Sequence, residues 1–220
     1  MKVILLANAR SGSHSLFNFI GSHLRKINKK YITLHEPFND SPKFAGIQEH
    51  IKNIESIKGK DNILIKSLMQ DQYPYESFQT WEEYIKWVFE YFDKIIFLDR
   101  KDKIKQCESV FYHTKINEKI SINYTWHTPK VYNLTNEDTN GVQSLVEHFE
   151  NSGKKMLEYS NMYNVPIFYY EDIFLDKNKD VIKKLLNYLT ISEINPKAYN
   201  EWIDNQYKIV RIDKKTNNLI

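Results

Sequence analysis

Short apolar runs alternate with amphipathic stretches along the whole chain, and that alternation sets the first expectation of its architecture. Val3 to Leu6 form an apolar run too short for a helix and suited to a strand buried on both faces. Phe17, Ile20, Leu24 and Ile27 follow at i, i+3, i+7 and i+10, the stripe of an amphipathic helix. Tyr31 to Leu34 read as a second strand, which Pro37 stops while holding Glu36 in an extended or turn geometry. Residues 44–58 carry Ile47, Ile51, Ile54 and Ile57 at helical spacing, and Asn62 to Ile65 form a third strand that delivers Lys66 to its C-terminal end. Residues 75–91 predict an aromatic helix whose Phe78, Trp81, Tyr84, Ile85, Val88 and Phe89 are read as core rather than as a base-stacking platform.

The strongest strand signal is Lys94 to Arg100, where Ile95-Ile96-Phe97-Leu98 end in Asp99 and Arg100. A helix over about 102–116 is expected to bury Ile104, Cys107 and Phe111 and to leave Gln106 and Ser109 on other faces. Residues 117–140 are polar, contain Pro129 and form the longest irregular stretch, the kind of segment that acts as a lid or acceptor-binding loop. A helix from about 141 to 163, a strand over Val165 to Tyr170, a helix over 178–190 and a short helix around Ala198 to Ile203 complete the pattern. A basic segment with Lys208, Arg211, Lys214 and Lys215 ends it. Strands alternating with helices predict an α/β three-layer sandwich around a central, mostly parallel five-stranded sheet. No repeat, linker or shift in composition divides residues 1–220, so one domain is expected.

Composition narrows the function classes. A formal charge of +3 over 220 residues excludes a strongly basic nucleic-acid binder. A lone cysteine, Cys107, excludes an internal disulfide and fits a reducing compartment. The first apolar run is shorter than a secretory leader requires and Arg10 follows it, while no run approaches the length of a membrane span. The expectation is a soluble, cytoplasmic protein. His113, His127 and His148 are dispersed without metal-ligand spacing, so no metal is expected.

The chemistry concentrates between the first strand and the first helix, where the chain reads Asn8-Ala9-Arg10-Ser11-Gly12-Ser13-His14-Ser15. A helix start offers free N–H groups and a positive dipole end, and Gly12 lets an anion approach the backbone. Hydroxyls of Ser11, Ser13 and Ser15 add donors and Arg10 adds a fixed charge, so the turn is a candidate phosphate or sulfate cradle. The Lys-Ser/Thr of a Walker loop is absent. His35 and Glu36, at the end of the second strand, are potential proton carriers on the sheet edge where open α/β sheets bind ligands. Strand alternation predicts that only one of the two faces the ligand.

Three segments together resemble the sulfotransferase family, which transfers a sulfuryl group from 3′-phosphoadenosine 5′-phosphosulfate (PAPS), and most of all its bacterial carbohydrate-type members. The turn Ala9-Arg10-Ser11-Gly12-Ser13-His14-Ser15 is similar to the family's basic-Ser-Gly-Thr-Thr/Ser loop, with His14 standing where a hydroxyl residue is usual. Arg100-Lys101-Asp102-Lys103-Ile104-Lys105-Gln106-Cys107-Glu108-Ser109 is similar to the segment that binds the 3′-phosphate, and Tyr170-Glu171-Asp172-Ile173 to the turn after the last strand. The order and spacing of the three cover roughly residues 1–190.

The resemblance implies a P-loop NTPase-like fold and PAPS as sulfuryl donor, with no metal. Arg10, Ser11, Gly12, Ser13, His14 and Ser15 would hold the phosphosulfate, and Arg100 with Ser109 the 3′-phosphate. The acceptor hydroxyl, of a carbohydrate or another small molecule, would lose its proton to Glu36, with His35 as the alternative base, during in-line transfer assisted by Arg10 and Lys66. Residues 38–46, 67–80 and 117–140, including Trp126 and His127, would line the acceptor side. Glu171 and Asp172 are expected to tie the last loop to neighbouring backbone. Two other readings compete: a P-loop kinase or NTPase using Mg-ATP, in which Asp99 would be the Walker-B carboxylate, and a non-catalytic nucleotide-binding module. Under the sulfotransferase reading Asp99 instead orients Arg100 or closes its strand.

Overall fold

The computed structural model describes residues 1–37, 57, 59–69, 80–110, 136–191 and 199–202. In chain order it contains β1 (Lys2–Ala7), α1 (Ser13–Ile27), β2 (Ile32–His35), β3 (Ile63–Leu68), α2 (Trp81–Tyr91) and β4 (Lys94–Asp99). A helix α3 over residues 103–110 follows, then α4 (Asn136–Tyr163), β5 (Ile167–Tyr169), a π-helical turn (Glu171–Leu175) and α5 (Lys179–Tyr188).

The five strands form one all-parallel sheet in the order β2-β3-β1-β4-β5, so the expected α/β three-layer arrangement is the one observed. Alternation along β1 builds both faces. Val3, Leu5 and Ala7 point into a core shared with Leu16, Ile20 and Leu24 of α1 and with Ile182, Leu185 and Leu186 of α5. Ile4 and Leu6 point into the opposite core, closed by Tyr84, Ile85 and Val88 of α2 and Met156 of α4. The buried apolar runs of β1 and β4 reflect this covering on both faces. Among the described residues no helix is long and apolar enough to cross a membrane.

Several local expectations shift. Ile27 closes the predicted stripe of α1 but is 62 % exposed, because the helix ends there and the chain turns into extended Asn28. β3 runs to Leu68, not Ile65, so Lys66 lies inside the strand and is 3 % exposed. In α3 the predicted stripe is rotated. Ile104 is 59 % exposed, whereas Gln106 and Cys107 are fully buried against the loop after β1 and against Val142, Val146 and Phe149 of α4. The polar loop backbone needs a hydrogen-bonding partner more than an aliphatic one, and Gln106 supplies it. α4 starts at Asn136, inside the stretch expected to be irregular. The helix expected over 44–58 lies, but for Ile57, outside the described residues, as do Phe78, Phe111, residues 117–135 and the basic tail.

The sheet order puts β1 at the centre, with β3 on one side and β4 on the other. The loop after β1 therefore emerges between the C-terminal ends of its two neighbours, the place where open α/β sheets form a ligand crevice. Met69 N donates to Ala7 O (2.8 Å) and Asn8 N to Leu98 O (3.1 Å), which anchors the start of that loop to both neighbours.

Candidate functional site

The loop from Asn8 to Gly12 is held through its carbonyl side. Ser11 Oγ donates to Asn8 O (2.6 Å), Gln106 Nε2 to Ala9 O (2.6 Å) and Arg100 Nη1 approaches Arg10 O at 3.5 Å. Arg10 and Gly12 both have left-handed backbone, at φ 60 and φ 78. Gly12 caps α1 without a side chain, and the first intrahelical bond runs from Leu16 N to Gly12 O (3.1 Å). The N–H groups of Ser13, His14 and Ser15 thus precede the helical ladder, and the left-handed Gly12 followed by helical Ser13 gives them the concave arrangement that accepts an oxyanion.

The hydroxyls divide their work. Ser11 directs its proton back to Asn8 O and is fully buried, so it offers a ligand its backbone only. Ser13 sits at the first helical position, and Ser15 Oγ accepts from Trp202 Nε1 (2.9 Å).

A cationic cluster flanks the loop. Arg10 Nε donates to Ser109 Oγ (2.9 Å), joining the loop to α3. The Arg100 guanidinium lies over the Tyr170 ring at 4.6 Å, and its Nε is 3.8 Å from Glu171 Oε1, buried and without a hydrogen-bond acceptor among the described residues. Burial and, next, the charge of Arg100 lower the pKa of Arg10, with Tyr170 opposing. Two neighbouring guanidiniums that raise each other's energy are what an incoming dianion would relieve. Ser109, expected beside Arg100, is joined instead to Arg10. The two arms of the expected grip therefore meet, because α3 packs directly on the loop through Gln106.

The turn after β5 keeps Arg100 in place. Glu171 accepts from the backbone N–H groups of Lys101 (2.9 Å) and Asp102 (3.1 Å), and Asp172 pairs with Lys101 Nζ at 2.5 Å. Asp99 does not orient Arg100: its Oδ1 accepts from Asn8 Nδ2 (2.7 Å) and from Lys103 Nζ (2.5 Å). Asn8 also accepts from Ser152 Oγ (2.6 Å), so one buried amide links β1, β4 and α4.

On the other side of the loop a polar chain crosses the ends of β2 and β3. Lys66 Nζ donates to Glu36 Oε1 in a close ion pair and stands 3.2 Å from His35 Nε2. His35 Nε2 is 2.8 Å from His14 Nδ1, and His14 Nε2 is 3.1 Å from Asn18 Nδ2. Alternation was expected to send His35 and Glu36 to opposite faces, yet both reach Lys66. The cause is Glu36 itself, whose left-handed φ of 48 takes it out of the strand, while its N–H still donates to Lys66 O (2.9 Å).

Burial first, then Lys66, pushes His35 down to about 4 and lowers His14, with Glu36 opposing in both. Both rings are neutral at pH 7. The contacts then assign His14 Nδ1–H as donor to His35 Nε2, and Asn18 Nδ2 as donor to His14 Nε2. Lys66 is thus a buried partner of Glu36 rather than a charge at the strand's end.

Arg10, Ser11, Gly12, Ser13, His14, Ser15, Arg100 and Ser109 all lie on or against one loop, and Glu36 and Lys66 reach it through His35 and His14. His148 is exposed on α4, and His113 and His127 lie outside the described residues. Asn8 and Tyr170 join the site without a sequence signal of their own, Asn8 through Asp99 and Ser152 and Tyr170 beneath Arg100. Asn8 follows a buried strand, but nothing local distinguishes a bridging amide from a turn residue. No protein-family model and no curated protein matches this chain in sequence.

Proposed function

We propose that the chain is a PAPS-dependent sulfotransferase acting on a hydroxyl acceptor such as a carbohydrate, in a cytoplasmic setting. The observation that carries the reading is the meeting of Arg10, Arg100 and Ser109 at a left-handed glycine turn, beside a Glu–Lys pair. Such a site suits an anion with two charged ends.

The residues present fit the donor. Arg100, with its buried Nε lacking an acceptor among the described residues, and Arg10 with Ser109 would bind the 3′-phosphate. The N–H groups of Ser13, His14 and Ser15 would bind the phosphosulfate. When bound, the donor supplies the activated sulfuryl group. Glu36 would accept the proton of the acceptor hydroxyl, and Lys66 would hold the Glu36 carboxylate in place. The Mg-ATP reading is less favoured because Asp99 is already occupied by Asn8 and Lys103. A non-catalytic module would have no use for a buried Lys66 spent on Glu36.

Calorimetry with adenosine 3′,5′-bisphosphate and with Mg-ATP tests the reading. The bisphosphate should bind in the presence of a chelator, and Arg100→Ala should weaken it by about a hundredfold. Glu36→Gln should bind the bisphosphate normally and abolish transfer from labelled PAPS in an acceptor screen. Binding of Mg-ATP without binding of the bisphosphate would sink the proposal.

A further inference from the structure

We propose that His14 and His35 are a coupled imidazole pair belonging to the anion site: when an oxyanion settles on the Gly12 turn, His14 takes up one proton at Nε2 and, as an imidazolium, keeps the hydrogen that its Nδ1 already donates to His35 Nε2. The inference rests on the reading of that turn as an anion site.

The geometry is specific to this chain. The two nitrogens are 2.8 Å apart with the rings at 72°, a separation that holds a single hydrogen. His14 is the second residue of α1, so its own backbone N–H belongs to the set that precedes the helical ladder. An oxyanion accepted there lies within a helical turn of the imidazole.

The groups facing the pair are few among the described residues. Asn18 caps His14 Nε2 from α1 and, once that nitrogen is protonated, would turn its amide so that Oδ1 accepts from it, and the Phe17 ring stands edge-on to His35. From the sheet edge come Glu36, 3.9 Å from His35 Nε2, and Lys66 at 3.2 Å. Glu36 and Lys66 form an ion pair and largely cancel each other, yet Lys66 is the nearer to His35 and tips the balance against a proton. A bound dianion reverses that balance, since an opposite charge within about 4–6 Å favours the protonated ring by roughly one to three pH units.

Only one proton is taken up. A second would leave two imidazoliums in contact with no lone pair between them. The proton comes from solvent and no covalent bond changes. The pair then adds a cation to a turn whose other cations, Arg10 and Arg100, reach it through α3 and the end of β4. Linkage makes the effect reciprocal: the anion binds more tightly as the pH falls toward the titration of the pair.

Imidazole nitrogen–proton correlation spectra of the full chain, recorded from about pH 5 to about pH 8.5, test the proposal. They would be taken alone, with adenosine 3′,5′-bisphosphate and with sodium sulfate, which does not itself titrate in this range. His14→Gln and His35→Gln serve to assign the rings, and the wild-type spectra carry the result. His14 should gain a proton at Nε2, with its Nδ1–H still bonded to His35 Nε2, at a midpoint that rises by about one unit or more with either anion. Calorimetric sulfate affinity should be about twofold to tenfold higher near pH 5 than near pH 8 for a midpoint rise of about one to two units, an effect that His35→Gln removes. Binding of bisphosphate or sulfate with neither ring gaining a proton would overturn the proposal and leave the anion site standing. Absence of binding by both anions in the wild type at every pH would overturn the anion site and the pair together.

Discussion

Gly12 is the residue at which the fold and the candidate site are hardest to separate, and Gly12→Ala makes their connection measurable. The backbone there has φ 78, which costs a residue with a Cβ about 1–2 kcal/mol. The new methyl would also lie 2.5 Å from Phe174 Cε2, 3.0 Å from Phe174 Cζ and 3.0 Å from Tyr170 Cδ2. Phe174 is 5 % exposed and stands 5.0 Å, centroid to centroid, from Tyr170, so neither ring can simply swing aside. Overpacking of this kind costs about 1–3 kcal/mol. The sum, about 2–5 kcal/mol, should lower the urea midpoint by about 1–2 M at an unchanged slope.

The same methyl should disturb the site. Tyr170 carries the Arg100 guanidinium on its face, so displacing the ring moves Arg100 and should weaken bisphosphate binding by about tenfold or more. Phe174→Leu removes the closest contact and leaves the backbone conformation as it is. In a double-mutant cycle the pair Gly12→Ala and Phe174→Leu should show a favourable coupling of about 1–2 kcal/mol. Gly59 has nothing within 4 Å of an added Cβ, and Gly59→Ala should stay within about 0.5 kcal/mol of wild type. A Gly12→Ala protein with wild-type stability and affinity, or a cycle with no coupling, would refute the packing argument.

Two further outcomes follow from buried polar groups. Asn8→Ala takes a donor from Asp99 and an acceptor from Ser152 in one step, and should cost about 2–3 kcal/mol in thermal or urea unfolding; a loss under about 0.5 kcal/mol would mean the amide is not a structural link. Acid should also destabilise the fold. Unfolded His35 takes up its proton near 6.5 whereas folded His35 resists to about 4, so this stability is complete above the higher value and is lost as the pH falls through that window. Because the ring is partly exposed, solvent screening limits the loss to about 1 kcal/mol, and His35→Gln should flatten that part of the urea-midpoint profile. A profile unchanged by the substitution would show that His35 is not the group responsible.

The sheet was legible because its signals are local and redundant. Val3 to Leu6 and Ile95 to Leu98 are short, apolar and bounded by polar turns, and no other element of a globular protein accounts for them as well. The rotation of α3 was not legible, since Ile104, between Lys103 and Lys105, is the most apolar residue of its turn and yet is the exposed one. What decides the buried face is a backbone carbonyl of Ala9, distant in sequence, that requires the Gln106 amide. The loop composition pointed to an anion, but the partners of its residues did not follow from spacing. Ser109 lies nine positions after Arg100 and joins Arg10. His35 and Glu36, adjacent in sequence, reach the same ammonium because of one left-handed residue. Backbone conformation of that kind leaves no mark in the pattern of polar and apolar positions at a glutamate.

The loop after β1 is where two sets of charges would act on one ligand, and its sequence explains how a single turn can serve both. Arg10 and His14 are four positions apart but lie on either side of Gly12, whose left-handed conformation changes the direction of the chain between them. Arg10 is thereby committed to Ser109 on α3, and His14 to His35 at the end of β2. The guanidinium arm keeps its charge at every physiological pH, so it can supply affinity but no response to protons. The imidazole arm is neutral when the site is free and lies beside the carboxylate proposed as the base. Any anion that draws a proton onto the His14–His35 pair therefore alters the field at Glu36, which lies 3.9 Å from His35 Nε2. Donor binding and base function would then be coupled through two side chains. Replacing His14 by a hydroxyl residue would break that coupling while leaving the backbone cradle intact, because the cradle's donors are N–H groups that any residue but proline provides.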